Sequence, residues 1–218
     1  MSRHLERSCW VSLAAAGAFA VVGAGSAVSA QAECVWPAGA KLIRSNGEAQ
    51  VTVEQRDSGD PLGGGSQSRV WRGCSTRHGE QVVLDSGESD FDTGHGASRF
   101  RLSGSIVGFL TSDFSKYESA TRVVIADLAT GARWTSATIG TLNGSGENFT
   151  DLAVNRAGDG AWIRTTVDRR GRARWLLFVR RGSAVQLRYS APRRLSHLRL
   201  STSHVRWREN AARRVRGI

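Results

Sequence analysis

The chain has 218 residues, 40% of them hydrophobic, and a formal net charge of +11. That length holds one domain or two small ones and excludes a large multidomain enzyme. The apolar content suffices for a buried core and excludes a disordered chain.

Residues 1–30 read as a secretory signal peptide. Arg3 and Arg7 supply a positive start, Val11 to Val22 an Ala-rich apolar stretch, and Val28-Ser29-Ala30 a small-residue cleavage site, with a second candidate after Ala32. An uncleaved anchor is the alternative, because Trp10 to Ala30 has roughly the length to span a bilayer. Its Ala, Gly and Ser content gives little driving force for insertion, and no later segment has that length. The expected product is a single domain, residues 31–218, secreted or envelope-associated and without an integral membrane span after processing. Cys9 leaves with the signal, so Cys34 and Cys74 remain. In an oxidising compartment an even pair reads as one disulfide.

Helix signals are nearly absent beyond residue 31. Short alternating runs predict strands at Gln50 to Glu54, Ser68 to Cys74, Gln81 to Leu84, Phe100 to Leu102, Ser105 to Leu110 and Arg122 to Asp127. More follow at Arg133 to Ala137, Asp151 to Asn155, Ala161 to Thr166, Arg174 to Val179, Ala184 to Tyr189, Ser196 to Leu200, His204 to Arg208 and Arg213 to Arg216. The run Trp175 to Val179 is apolar on both faces and suits a strand covered on both sides. Turns are expected at Ala129-Thr130-Gly131, Ala157 to Gly160, Arg169-Arg170-Gly171 and Arg181-Gly182. Arg56 to Gly65, Ser86 to Gly96 and Thr141 to Asn148 read as exposed loops, the last carrying two glycosylation-type patterns at Asn143 and Asn148.

The chain repeats internally. Phe100-Arg101-Leu102-Ser103, Thr150-Asp151-Leu152-Ala153 and Ser196-His197-Leu198-Arg199 align, each followed by an apolar strand; the leucines are fifty and forty-six residues apart. An earlier unit runs through Lys41-Leu42-Ile43, Val51-Thr52-Val53, Val70 to Cys74 and Val82-Val83-Leu84. A period near fifty with about four short strands predicts an all-β, β-propeller-like stack of about four small antiparallel blades. The last unit is short, and the N-terminal strand is a candidate to complete it and close the ring. A twisted β-sandwich or an open stack of sheets is the competing architecture.

Leu102 to Phe109 followed by Val124-Ile125-Ala126-Asp127-Leu128-Ala129-Thr130-Gly131 resembles the blade repeat of TolB-like β-propellers. The mature chain is also similar to small exported actinobacterial proteins, through Val70 to Cys74, Ala161-Trp162-Ile163 and Leu198 to Trp207. The chain departs from the TolB type in its short length and in lacking a Pro-Asp-Gly turn. The resemblance implies a fold used mostly as a binding scaffold, and it carries over no catalytic residue.

Motifs for catalysis are missing: no Gly-x-Ser-x-Gly, His-Glu-x-x-His, Ser-x-x-Lys or phosphate-binding Gly-x-x-x-x-Gly-Lys occurs. His197 and His204 fall in neighbouring predicted strands and read as ordinary histidines. Asp85 to Gly96 alternates carboxylates with glycine but lacks the spacing and distal Glu of a calcium loop, so no metal or cofactor is expected.

The charge is unevenly spread. Residues 31–160 carry 12 Lys+Arg against 16 Asp+Glu, whereas residues 161–218 carry 16 Arg against Asp168 and Glu209 alone. Arg164, Arg169, Arg170, Arg172, Arg206 and Arg208 are the candidate binding residues, because alternation puts Arg206 and Arg208 on the face away from Trp207 and the others flank a turn. For an exported chain the expected partner is an anionic cell-envelope polymer or an acidic protein, and no nucleic acid. The expected function is non-catalytic binding or scaffolding; the alternative is a small exported hydrolase or lyase with a pocket at the blade axis. Arginine excess from genome composition remains the bland explanation of the charge.

Overall fold

The computed structural model describes residues 32–57, 65–90, 92–142, 148–168 and 170–218. The expected signal peptide, most of the Gly63-Gly64-Gly65 run, the Asn143 pattern and Arg169 lie outside them. The described residues form antiparallel strands joined by turns, with no helix.

The first nine strands form one sheet, eight of them paired in chain order and the ninth on the side of the seventh. They are β1 (Lys41–Ser45), β2 (Ala49–Asp57), β3 (Gln67–Ser75), β4 (Gln81–Ser89), β5 (Thr93–Ser103), β6 (Ile106–Ser115), β7 (Glu118–Asp127), β8 (Arg133–Thr135) and β9 (Ile139–Leu142). β8 and β9 lie end to end along β7. β4 and β5 pair only at Ser89–Gly94, so the sheet folds there into two layers, β1–β4 and β5–β9. A third layer holds β10 (Asn148–Val154), β11 (Gly160–Val167), β12 (Ala173–Arg181) and β13 (Ala184–Ala191). A fourth holds β14 (Leu195–Leu200), β15 (His204–Glu209) and β16 (Ala212–Gly217).

Side-chain alternation along the strands decides how the layers pack. Ala49, Val51, Trp71 and Leu84 of the first layer meet Phe100, Val107, Phe109, Val124 and Ala126 of the second. On the other face of the second layer, Ile106, Leu110, Val123 and Ile125 meet Leu152, Val154 and Trp162 of the third. The third layer turns Ala153, Ala161, Ile163, Leu177 and Val179 to Leu195, Leu198, Val205 and Trp207 of the fourth. The doubly apolar run in β12 is thus covered on both sides, with Phe178 towards the second layer and Leu177 and Val179 towards the fourth. Contact is close enough that a Cβ on Gly108 would lie 2.5 Å from Val154 Cγ1.

Each layer begins with a bulged strand, and the bulges connect the layers. The irregularities fall at Leu42/Arg44 in β1, Ser98/Arg101 in β5, Phe149/Asp151 in β10 and Ser196/Arg199 in β14. Arg99 and His197, both inside bulges, adopt positive φ (55° and 54°). A bulge re-aims the residues beside it, and here they reach the next layer. Arg44 Nε donates to Phe100 O (3.4 Å), Arg99 Nη1 to Thr150 O (3.2 Å), and the Leu198 N–H to Asp151 Oδ2 (2.8 Å). Arg101 also pairs with Asp151 at 3.6 Å.

The outer face of the first layer carries a strap. The Cys34–Cys74 disulfide fastens residues 32–40 to β3, Trp36 Nε1 donates to Gln50 Oε1 (3.0 Å), and Gln81 Nε2 donates to Val35 O.

Strands reach into the expected loops at residues 56–57 of β2, at 141–142 of β9 and at Asn148, and two larger departures stand beside these. Residues 86–89 and 93–96 are strand rather than loop: Asp90 Oδ1 accepts the N–H groups of Asp92 and Thr93 and closes a tight hairpin. The N-terminal strand does not complete the last layer; β1 pairs with β2, and among the described residues no sheet closes. Among those residues, no helix is long and apolar enough to cross a membrane.

Candidate functional site

The fourth layer ends the series with a different surface. In β15, Val205 and Trp207 are buried against the third layer, so Arg206 and Arg208 point the other way. Their register partners, Arg199 on β14 and Arg213 on β16, share that face. In layers one to three the face turned to the following layer is apolar; here four arginines occupy it. All four are exposed, and among the described residues none forms an ion pair or a side-chain hydrogen bond. With His197 and Trp207 they line a depression of about 310 Å³.

The other candidate arginines are elsewhere. Arg164, on β11, faces the second layer and lies over the Phe178 ring at 5.8 Å. Arg170 and Arg172 belong to the β11–β12 hairpin, where Asp168 organises the turn: its carboxylate accepts both backbone N–H groups and pairs with the Arg172 guanidinium at 2.9 Å. Those bonds, with nearby Arg174, hold the Asp168 carboxyl below its ordinary value. Of the six candidates, the structure thus brings together Arg206 and Arg208, and adds Arg199 and Arg213, which alternation alone did not single out. The remaining charge excess is partly structural. Arg180 donates to Gly158 O and stacks over Trp134 at 4.6 Å, its pKa lowered by burial. Arg181 donates to Ile218 O and Thr202 O, and Arg214 pairs with Glu209.

A second hollow, of about 280 Å³, lies between the second and third layers beside Ile106, Asp127, Arg133, Trp134 and Arg180. Its charged groups are already committed. Arg133 donates to Leu84 O, and Asp127 accepts from Ser105, Thr130 and the Ala129 N–H.

The segment read as an acidic loop holds a titratable cluster. His95 on β5 sits between Asp113 on β6 (Nδ1 to Oδ1, 2.5 Å) and Asp85 on β4 (Nε2 to Oδ2, 2.8 Å), and Arg122 on β7 pairs with Asp113 at 2.9 Å. Burial alone would lower the His95 pKa; hydrogen bonds with Asp113 and then Asp85 outweigh it and raise the pKa above 6.5. The Asp113 carboxyl is held below its ordinary value, chiefly by its bond to His95. Gly87 makes room, since a Cβ there would lie 2.6 Å from His95 O. Among the described residues no group of three or more His, Cys, Asp or Glu is arranged to hold a metal ion.

No known family model matches the chain, and no curated protein or solved structure is significantly similar to it.

Proposed function

We propose that this is an exported, non-catalytic binding protein: an open, propeller-type stack of four small blades, of the kind the TolB-like repeat implies, that docks an anionic envelope component on the outer face of its last blade. One observation carries the reading. Arg199, Arg206, Arg208 and Arg213 share one exposed face, and among the described residues none of the four is neutralised by an ion pair. Four guanidinium groups on one surface attract a polyanion at long range and hold it through charge-assisted hydrogen bonds. The Cys34–Cys74 disulfide is consistent with an oxidising compartment.

The hydrolase or lyase reading would draw on Asp85, His95 and Asp113, where a histidine does meet two carboxylates. Both ring nitrogens are occupied by those carboxylates, however, so neither is free to take a proton from a substrate in this arrangement. The cluster acts as an electrostatic brace tying β4 to β5 and β6.

Cell fractionation of the native protein tests the binding reading. Retention in the envelope fraction, release by a high-salt wash and an N-terminus at Gln31 or Glu33 are the expected results. A freely soluble protein at low salt would return the arginine excess to genome composition.

A further inference from the structure

We propose that the outer face of β14–β16 takes a linear phosphodiester polymer with a three-carbon polyol spacer, laid along the track Arg199–Arg206–Arg208–Arg213. This rests on the reading above that the face binds an anion, and it names which one.

The register sets the spacing. Arg199–Arg206 and Arg208–Arg213 are cross-strand partners, and Arg206 and Arg208 are two residues apart on β15. Cross-strand partners have Cβ atoms about 4.5–5.5 Å apart, and positions i and i+2 of a strand are separated by about 6.7 Å. The guanidinium stems therefore start from a stepped line with intervals of about 5–7 Å. A phosphodiester chain with a three-carbon spacer has six bonds between successive phosphorus atoms. Two residues of β-strand also have six bonds between Cα atoms. The two extended chains repeat on the same scale.

Charge geometry selects among polyanions of that repeat. Each phosphate lies in its polymer's own backbone and turns two free oxygens to a guanidinium fork, which matches it in two-pronged fashion. An extended acidic polypeptide presents alternate carboxylates at a similar interval, but each hangs on a flexible side chain whose ordering costs entropy, instead of lying in the polymer backbone. Single-stranded nucleic acid has the same six-bond repeat but gains its affinity from bases stacked on exposed aromatic rings. Trp207, the aromatic residue beside the track, is 4% exposed and packs against Tyr189. A polyol phosphate needs no stacking platform.

The test titrates the purified exported chain with four probes across a salt series: a synthetic poly(glycerol phosphate) of at least six units, glycerol phosphate monomer, poly-L-glutamate and oligothymidylate. The polymer is expected to bind with a slope of log K against log salt near about −3, from four charges at about 0.7 each. Arg206→Gln with Arg208→Gln should reduce that slope to about −1.4. Arg77→Gln, at the exposed turn between β3 and β4, should leave it unchanged, and an unshifted urea midpoint shows each variant folded. Equal binding of the monomer, or of either other polymer at the same salt, overturns the polyol phosphate assignment while leaving the anion-binding reading intact. Absence of any polyanion binding, or binding indifferent to the double substitution, overturns both.

Discussion

Replacing Asp151 should loosen three layers at once. Its Oδ2 accepts the Leu198 N–H from the fourth layer, its Oδ1 accepts the Leu152 N–H, and Arg101 of the second layer approaches at 3.6 Å. Leu198 is 7% exposed and its bond to Asp151 is partly buried, so Asp151→Ala leaves the Leu198 N–H without this partner. A hydrogen bond to a charged group contributes about 1.5–3 kcal/mol, and an orphaned buried donor costs about 1–3 kcal/mol. These overlap, because both describe the same lost bond. Arg101 is more than a third exposed, so its pair adds at most about 0.5 kcal/mol after screening. The expected loss is about 1.5–3.5 kcal/mol for Asp151→Ala. Asp151→Asn, which keeps an acceptor and loses the charge, should lose about 1 kcal/mol. Urea denaturation gives both values, and amide exchange at Leu198 reports the bond directly. An alanine variant within about 0.5 kcal/mol of the parent, with Leu198 still protected, would refute the claim that the bulge side chains tie the layers together.

Three further outcomes follow from described contacts. His95 has a raised pKa in the fold, so its protonated form contributes stability below its ordinary value of 6.5 that is lost as pH rises through the raised value; Asp113, lowered, contributes above 3.8 and loses that contribution as pH falls. Stability should therefore fall as pH rises above 6.5 through the raised His95 value, and His95→Gln should flatten that slope in denaturation curves; an unchanged slope would place the titration elsewhere. Gly108→Ala pushes a methyl into Val154 and should cost about 1–3 kcal/mol by overpacking, read as a lower urea midpoint. Serine at both Cys34 and Cys74 opens a loop of 40 residues, for which chain entropy gives a loss of about 4 kcal/mol; an identical midpoint before and after reduction of the parent would contradict it.

Much of the fold is legible in the sequence because alternation and turn residues are local. The aligned leucines Leu102, Leu152 and Leu198 do occupy equivalent strands, β5, β10 and β14, and each packs towards the preceding layer. The loop expectation for 86–96 fails for a physical reason: Gly87 and Gly94 read as flexibility, yet each is there because a side chain would collide with His95 or Phe114. The bulges are invisible in composition, since they change register without changing residue type, and so Arg199 joins Arg206 only once the pairing is known. The His95 cluster is missed because its three members come from three strands, and their meeting depends on the fold at Ser89–Gly94. For the face itself, the Arg206-Trp207-Arg208 alternation was the signal present.

Among the described residues the layers form no closed ring, and an open array frays from its ends, which here are unequal. Stability in such arrays is set by each unit and its nearest neighbour. The first layer is anchored twice, by its apolar interface and by a covalent strap across its back. The fourth has a single apolar interface, and its free side concentrates like charge. Opening should therefore begin at the C-terminal end, in the very strands that carry the arginines. An anion seated there would offset the mutual repulsion of the guanidinium groups and slow amide exchange in β14–β16 first, leaving β2 and β3 at their unliganded rates.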